Sequence, residues 1–209
     1  MSFPEPFAYP RTPFNRRHGP QGYLDPQNYK PWLRDEFQFR CVYCLVRETW
    51  YPEGDSGFGV DHVLPRSKYR ELNWEYDNLV YACCRCNAAK QDLDGILDPS
   101  KVSLAENLIV DSNGMIHGLT DQGNELILVC QLGRMRLVEF RRGIFEILEL
   151  IQANRDSVKC NAFLRRYFGF PSNLPQLRLL KPPGANSRPT GIAESWFEKR
   201  LRNQLPDAY

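Results

Sequence analysis

Two pairs of cysteines have a spacing that is suited to metal binding. Cys41 and Cys44 form one C-x-x-C pair, and Cys83 and Cys86 form a second. A C-x-x-C turn places two thiolates on one edge of a tetrahedron, so two such turns supply the four ligands of a structural zinc. The second pair has an alternative, because Cys84-x-Cys86 is also conceivable. We favour Cys83 with Cys86 because of the turn geometry.

The long segment between the two pairs contains residue types that can carry out hydrolysis. His62 can act as a general base near neutral pH. Asp61 beside it offers a hard carboxylate oxygen to Mg²⁺, and the amide oxygen of Asn87 suits the same ion. Neighbours in a strand point to opposite faces, so Asp61 and His62 share one site only if the strand ends or bends there, which Pro65 favours. The pattern predicts metal-dependent hydrolysis of a phosphodiester bond.

Four stretches between residues 38 and 95 contain polar residues in the order and spacing of a known protein family. They are Cys41-Val-Tyr-Cys44, Val60-Asp61-His62-Val63-Leu64-Pro65-Arg66-Ser67, Asn78-Leu79-Val80 and Ala82-Cys83-Cys84-Arg85-Cys86-Asn87-Ala88-Ala89-Lys90. Together they resemble the zinc-knuckle branch of the HNH endonucleases, whose fold is the ββα-metal finger. Many members carry a second histidine where this chain has Asn87, so the chain resembles the H-N-N version. Asparagine oxygen favours Mg²⁺ or Mn²⁺ over a softer metal.

The resemblance implies a role for each of these polar residues. His62 would be the general base, and Asp61 and Asn87 would hold one Mg²⁺ or Mn²⁺ ion at the scissile phosphate. Asn78 would brace the loop that positions His62. The four cysteines would hold a structural Zn²⁺ that contributes folding energy.

Two basic residues are implied to bind the substrate. By resemblance, Arg66 and Lys90 would contact phosphates. Arg66 belongs to a loop over residues 64–77 that also contains Lys68 and Arg70. A basic connection beside a metal site is where a nucleic-acid backbone would run.

Local patterns predict the elements that position these residues. A short helix around Trp32 and Leu33 precedes the first cysteine pair, and residues 58–63 and 78–83 have β character. A helix begins at Ala88 and ends near Gly95. The predicted order is therefore strand, basic loop, strand and helix.

We predict three parts of the chain and an α+β fold class. Residues 1–30 are rich in proline and aromatic residues, which predicts an extended arm. Residues 31–99 form the nuclease core, a ββα-metal finger with a four-cysteine zinc knuckle. Residues 100–209 contain a β-hairpin at Asn113-Gly114, C-terminal helices and a basic tail, and the last helix lies near residues 192–205.

Composition limits the location and partners of the chain. No stretch approaches the roughly 20 apolar residues of a membrane span, and residues 1–20 lack the apolar region of a secretory signal. We therefore expect a cytoplasmic protein without a membrane partner. The net charge of +2 and the pI of 8.1 are too mild to establish a polyanionic partner.

Two functions from different classes remain open. The preferred hypothesis is an endonuclease that cuts DNA rather than RNA and leaves a 5′-phosphate and a 3′-hydroxyl. One site cuts one strand at a time, so double-strand cleavage would need a homodimer or sequential nicking. Similar bacterial proteins act beside an ATPase or another sensor subunit in anti-phage defence, and the resemblance implies such a partner. The rival hypothesis is a zinc-stabilised nucleic-acid or protein binding module without catalysis.

Overall fold

The computed structural model describes residues 3–209 as an α+β structure with two small antiparallel hairpins. The strands are β1 (Phe58–His62), β2 (Leu79–Cys83), β3 (Leu108–Val110) and β4 (Ile116–Gly118). The helices are α1 (Lys30–Glu36), α2 (Cys84–Lys90), α3 (Asp121–Val129), α4 (Met135–Ala153), α5 (Val158–Phe168) and α6 (Trp196–Leu201). The predicted α+β class is confirmed.

The first hairpin and α2 form the ββα unit. β1 and β2 pair antiparallel, with Phe58 opposite Cys83 and His62 opposite Leu79. α2 follows β2 directly and runs back along β1, because Asn87 reaches the carbonyl of Val60 and the residues that follow approach the end of the strand. The hairpin thus has a loop end, where His62 lies, and an opposite end, where Cys83 lies.

α2 differs from its prediction at both ends. It begins at Cys84 rather than at Ala88, directly after Cys83, whose backbone is extended. It ends at Lys90 rather than near Gly95, because the backbone of Gln91, with φ of 51° and ψ of −137°, departs from the helical conformation. Cys86 and Asn87 therefore lie on the helix itself.

The last helix is also shorter than its prediction of residues 192–205. A 3₁₀ turn at Pro189–Glu194 comes first, and α6 covers only Trp196–Leu201. The extended backbone of Ser195 separates the two, and its side chain caps α6 by accepting from the Glu198 amide. Asn203, with φ of 55°, follows the end of the helix.

The second hairpin matches its prediction. β3 and β4 are joined by a turn in which the Asp111 carboxylate accepts from the amides of Asn113 and Met115. Gly114 has φ of 80°, and a Cβ there would collide with the carbonyl of Val138 in α4. The turn therefore needs glycine for both its conformation and its packing on α4.

One hydrophobic core receives side chains from every part of the described chain. Phe7 and Tyr9 of the predicted arm are only 3% and 6% exposed, and the Tyr9 hydroxyl donates to the carbonyl of Tyr43 at 2.6 Å. The division at residues 30 and 99 stays a prediction. None of the helices within residues 3–209 has the length and apolarity that crossing a membrane requires.

Candidate active site

Four buried thiols converge at the end of the β1–β2 hairpin that lies away from His62. All their Sγ atoms lie within 4.8 Å of one another, and those of Cys44 and Cys83 are 3.7 Å apart. A tetrahedral zinc with Zn–S bonds of about 2.3 Å separates its sulfurs by similar distances. Cys84 is exposed, which removes it as an alternative ligand. The cluster consists of Cys41, Cys44, Cys83 and Cys86.

The first cysteine pair is shaped by a tight turn. The Leu45 amide donates to the carbonyl of Cys41, and Leu45 itself has φ of 61°. The Val42 amide donates to the carbonyl of Tyr81 and joins this turn to β2. The donor set fits a structural zinc, because four thiolates complete its coordination and leave no position for water.

His62 is the last residue of β1, and its ring is held by the loop that follows. Its Nε2 lies 3.0 Å from the carbonyl oxygen of Asn73. A carbonyl only accepts, so Nε2 carries the proton and donates, and the lone pair of the neutral ring is on Nδ1. The fold therefore selects the tautomer in which Nδ1 can accept a proton.

Asn78 joins two parts of this loop through hydrogen bonds of its side chain. Its Oδ1 accepts from the Leu64 amide at 2.9 Å, and its Nδ2 donates to the carbonyls of Leu64 at 3.0 Å and Leu72 at 3.2 Å. Leu72 precedes Asn73, whose carbonyl holds His62. This geometry supports the bracing role that we expect for Asn78.

Asp61 is buried beside His62 and only 5% exposed. Its Oδ2 accepts from the Tyr43 hydroxyl at 2.7 Å, and its Oδ1 accepts from the His62 amide at 2.8 Å. Burial raises the pKa of Asp61 above its ordinary value, and the positive charge of Lys90 opposes that rise. The carboxylate is thus fixed in orientation by contacts from three directions.

A cleft of about 350 Å³ opens in front of these residues, between β1, the start of the loop and α2. Four of the predicted site residues line it: Asp61, His62, Arg66 and Asn87. Asp25, Gln27, Gln91 and Asp92 also line it. The cleft therefore brings together the expected base, the expected metal ligands and one expected phosphate contact.

Comparison with protein families agrees with this geometry. Residues 41–93 match the family model described as HNH endonuclease. This segment is an HNH domain. The match covers about a quarter of the chain and contains all ten predicted site residues. No curated protein matches the chain. An HNH domain indicates a nuclease, and hence a phosphodiester hydrolase that acts on nucleic acid.

Lys90 occupies a different place in the HNH domain from the one that we expected. Its side chain is fully buried and does not line the cleft. Its Nζ donates to the carbonyl of His62 at 2.6 Å and lies 3.4 Å from Asp61 Oδ1. The burial argues against a phosphate contact, because α2 ends at Lys90 and points its ammonium group back into the hairpin.

Asp61 and Asn87, the two predicted metal ligands of the HNH domain, both line the cleft. The Asn87 Nδ2 donates to the carbonyl of Val60 at 3.3 Å, which fixes the amide. Within residues 3–209 its Oδ1 makes no hydrogen bond, so this oxygen is free for a ligand. A carboxylate and an amide oxygen are the donors that Mg²⁺ and Mn²⁺ accept.

Sequence reasoning missed two partners of these residues. Tyr43 lies inside the first C-x-x-C pair and could have been noticed there, although its spacing gives no hint of Asp61. Asn73 acts through its backbone carbonyl, which carries no side-chain signal. Such a contact becomes visible only once the loop is folded.

Proposed function

We propose that the chain is a metal-dependent endonuclease that hydrolyses phosphodiester bonds in DNA. The single observation that carries this proposal is the arrangement of His62. Asn73 occupies its Nε2 and leaves the Nδ1 lone pair available, beside a cleft that is also lined by Asp61 and Asn87. A base and two hard oxygen donors at one cleft are what hydrolysis of a phosphodiester needs.

His62 is the base of the proposed reaction. Its Nδ1 accepts a proton from water as the water oxygen bonds to phosphorus. The bond between phosphorus and the 3′-oxygen breaks, and the departing oxygen takes up a proton from solvent. The products are a 5′-phosphate and a 3′-hydroxyl. A Mg²⁺ or Mn²⁺ ion on Asp61 and Asn87 would supply positive charge for the phosphate and the departing oxygen.

The other predicted residues hold the base and the substrate. Asn78 keeps the loop closed, so that the Asn73 carbonyl stays on His62. Lys90 secures the His62 backbone and the Asp61 carboxylate from inside the hairpin. Arg66 is exposed at the cleft and is the residue that we assign to the phosphate backbone.

Replacement of the base tests this function. We expect His62→Ala to lower Mg²⁺-dependent plasmid nicking by at least about 100-fold, the range for loss of a general base. Zinc content and the circular dichroism spectrum should stay unchanged, because His62 is remote from the thiols. The matched control is His117→Ala, which removes a half-exposed histidine outside the HNH domain and should nick at the wild-type rate.

The rival hypothesis of a binding module predicts a different result. A zinc-containing protein that binds DNA but nicks no plasmid with Mg²⁺ or Mn²⁺ would favour the rival. Equal nicking by wild type and His62→Ala would also contradict the proposed mechanism, because another group would then supply the base.

The resemblance extends the proposal to a biological role. We propose that the protein acts in the cytoplasm as the nuclease of a bacterial anti-phage defence system, with an ATPase or sensor subunit as partner. Double-strand cleavage would then require a homodimer or two successive nicks. A protection assay against phage with wild type and His62→Ala tests this role, and equal protection by both would contradict it.

A further inference from the structure

A second cavity, here named the aromatic pocket, lies next to the cleft. Its volume is about 310 Å³, within the range of cavities that hold small ligands. Its walls include Tyr23, Leu24, Tyr29, Trp74, Glu75 and Arg188. Four of the lining residues are tyrosines or tryptophan, whereas no Phe, Tyr or Trp lines the cleft.

Two short stretches of chain connect the aromatic pocket to the cleft. Leu24 lines the pocket, and the next residue, Asp25, lines the cleft. Asn73 holds His62, and the next residue, Trp74, lines the pocket. The indole N–H of Trp74 donates to the carbonyl of Leu24 at 2.7 Å and fastens the two stretches together. The pocket is therefore positioned beside the place where the scissile phosphate would lie in the proposed reaction.

The border of the aromatic pocket exposes large apolar surface. Leu24 is 87% exposed and Trp74 is 45% exposed, whereas Tyr29 is fully buried beneath them. The hydrogen bond to Leu24 fixes the indole, so its exposed surface has a defined direction. A fixed, exposed aromatic ring beside a nuclease site is suited to stacking on a nucleobase.

The charges of the aromatic pocket favour binding of a nucleobase over binding of a phosphate. Arg188 is occupied by a two-point ion pair with Asp77 at 2.7 and 2.9 Å. The side chain of Glu75 makes no hydrogen bond within residues 3–209. The pocket thus offers a carboxylate acceptor and no free cation. Amino groups of bases donate to carboxylates, whereas a phosphate would be repelled.

We propose that the aromatic pocket binds an unpaired nucleobase next to the scissile phosphate. This inference rests on the proposed nuclease function and names its substrate class. A base inside a duplex has both faces stacked, so it must leave the helix before it can enter a side pocket. The preferred substrate is therefore single-stranded or locally unpaired DNA.

The binding test uses His62→Ala, so that the DNA stays intact. Affinities for a short single-stranded DNA and for the matching duplex are measured by fluorescence anisotropy. We expect Trp74→Ala to weaken single-strand binding by about 10-fold, as loss of one stacking residue does, and to leave duplex binding unchanged. Trp74→Phe keeps a ring and should retain most of the affinity.

Two further variants control for damage to the fold. Leu24→Ala keeps the carbonyl that Trp74 uses, and it should weaken single-strand binding while preserving the melting temperature. Leu128→Ala removes a comparably exposed leucine (77%) on α3 and should change neither affinity. If Trp74→Ala weakens single-strand and duplex binding to the same extent, or weakens neither, nucleobase binding in the aromatic pocket is contradicted.

Cleavage of a hairpin DNA separates this inference from the proposed function. Wild type should cut in the unpaired loop in preference to the stem, and Trp74→Ala should lose about 10-fold of that preference. Equal cutting of loop and stem by wild type would contradict nucleobase binding in the aromatic pocket and would still support the nuclease function. Selective single-strand binding that depends on Trp74, without cleavage, would support nucleobase binding in the aromatic pocket and contradict the nuclease function.

Discussion

Asp61 and His62 are neighbours in sequence, but the fold holds them by different means. His62 is oriented by a loop carbonyl, whereas Asp61 is held by Tyr43 and Lys90, which come from the zinc knuckle and α2. In a continuing strand the two side chains would point to opposite faces. Because β1 ends at His62, both side chains line the same cleft.

The roles of Arg66 and Lys90 can be distinguished experimentally, although both were expected to contact phosphate. Arg66→Gln should weaken DNA binding and reduce the slope of log K against log salt concentration by about 0.9, because one phosphate contact is lost. Lys90→Met should leave the affinity and the slope unchanged, since its ammonium group is buried, but lower kcat by about 10-fold or more through loss of positioning.

Anisotropy titrations at several salt concentrations, together with nicking rates, provide the measurement. The melting temperature of Lys90→Met must be determined in parallel, because a buried ammonium group is removed from Asp61. A reduced salt slope for Lys90→Met would show that Lys90 reaches phosphate after all.

At the residue scale, spacing and chemistry were sufficient for part of the site. The C-x-x-C pairs, Asp61, His62 and Asn87 could be proposed because each contributes a side chain with a specific chemical capacity. The contacts that orient them could not be proposed. The Asn73 carbonyl depends on loop conformation, and the burial of Lys90 depends on where α2 ends.

At the scale of elements, α2 connects the zinc cluster to the cleft. It is seven residues long, begins beside Cys83, carries Cys86 and Asn87 in succession, and ends with Lys90 inside the hairpin. An isolated helix of this length is not stable in water. The thiols at one end and the buried ammonium group at the other must therefore hold it in place.

Removal of the zinc should consequently destroy the cleft. We expect a strong chelator to release the metal and to abolish both the helical signal of α2 and nicking, because the binding energy of a structural zinc is folding energy. Cys41→Ser should reproduce this loss. Cys84→Ser is the matched control, since Cys84 is exposed and should keep full zinc content and activity.

Metal analysis, circular dichroism and plasmid nicking measure the outcome. A chelated protein that retains its folded spectrum and melting temperature would contradict a structural role for the metal. A Cys84→Ser variant that loses zinc would instead indicate that Cys84 belongs to the ligand set.

The strands could be predicted well, whereas α2 could be predicted only in part. Residues 58–63 and 78–83 contain β-branched and aromatic residues, which favour strands on a buried surface. The start of α2 falls on Cys84, Arg85 and Cys86, and the two cysteines have low helix propensity although arginine does not. The extended backbone of Cys83 precedes that start, and Cys86 converges there with the other three thiols. Neither feature appears in a propensity scale.

At the scale of the whole molecule, Asp35 joins three distant segments. Its carboxylate accepts from His18 Nε2 at 2.9 Å, Arg17 Nη2 at 2.9 Å and the Trp196 amide at 2.8 Å. These donors come from the N-terminal segment and from α6, while Asp35 belongs to α1. One fully buried carboxylate thus fixes the N-terminal segment and α6 to α1, which contacts β1 and β2 of the HNH domain.

Asp35→Asn should therefore destabilise the entire protein. Removal of one partner from a buried ion pair typically lowers the free energy of unfolding by about 3–5 kcal/mol. The expected result is a clearly lower midpoint of urea unfolding. Asp111→Asn is the matched control, because Asp111 pairs with His117 at the same 2.9 Å on an exposed surface. Its midpoint should fall much less than that of Asp35→Asn, because asparagine keeps an oxygen that can accept from the amides of Asn113 and Met115. Equal falls for the two variants would contradict the structural role of Asp35.

The burial of the N-terminal segment could not be predicted from its sequence. Its prolines correctly indicate the absence of long helices and strands. They do not show that Phe7 and Tyr9 enter the core or that Arg17 and His18 meet Asp35. Such contacts join residues far apart in the chain, and no local pattern records them.

The peptide unit between Asn73 and Trp74 has a kinetic consequence. Its carbonyl sets the angle of the His62 ring, and the side chain that follows borders the aromatic pocket. A shift of Trp74 on ligand entry would be transmitted over one peptide bond to His62, the proposed base. Substrates that fill the pocket differently should then differ in turnover number as well as in affinity.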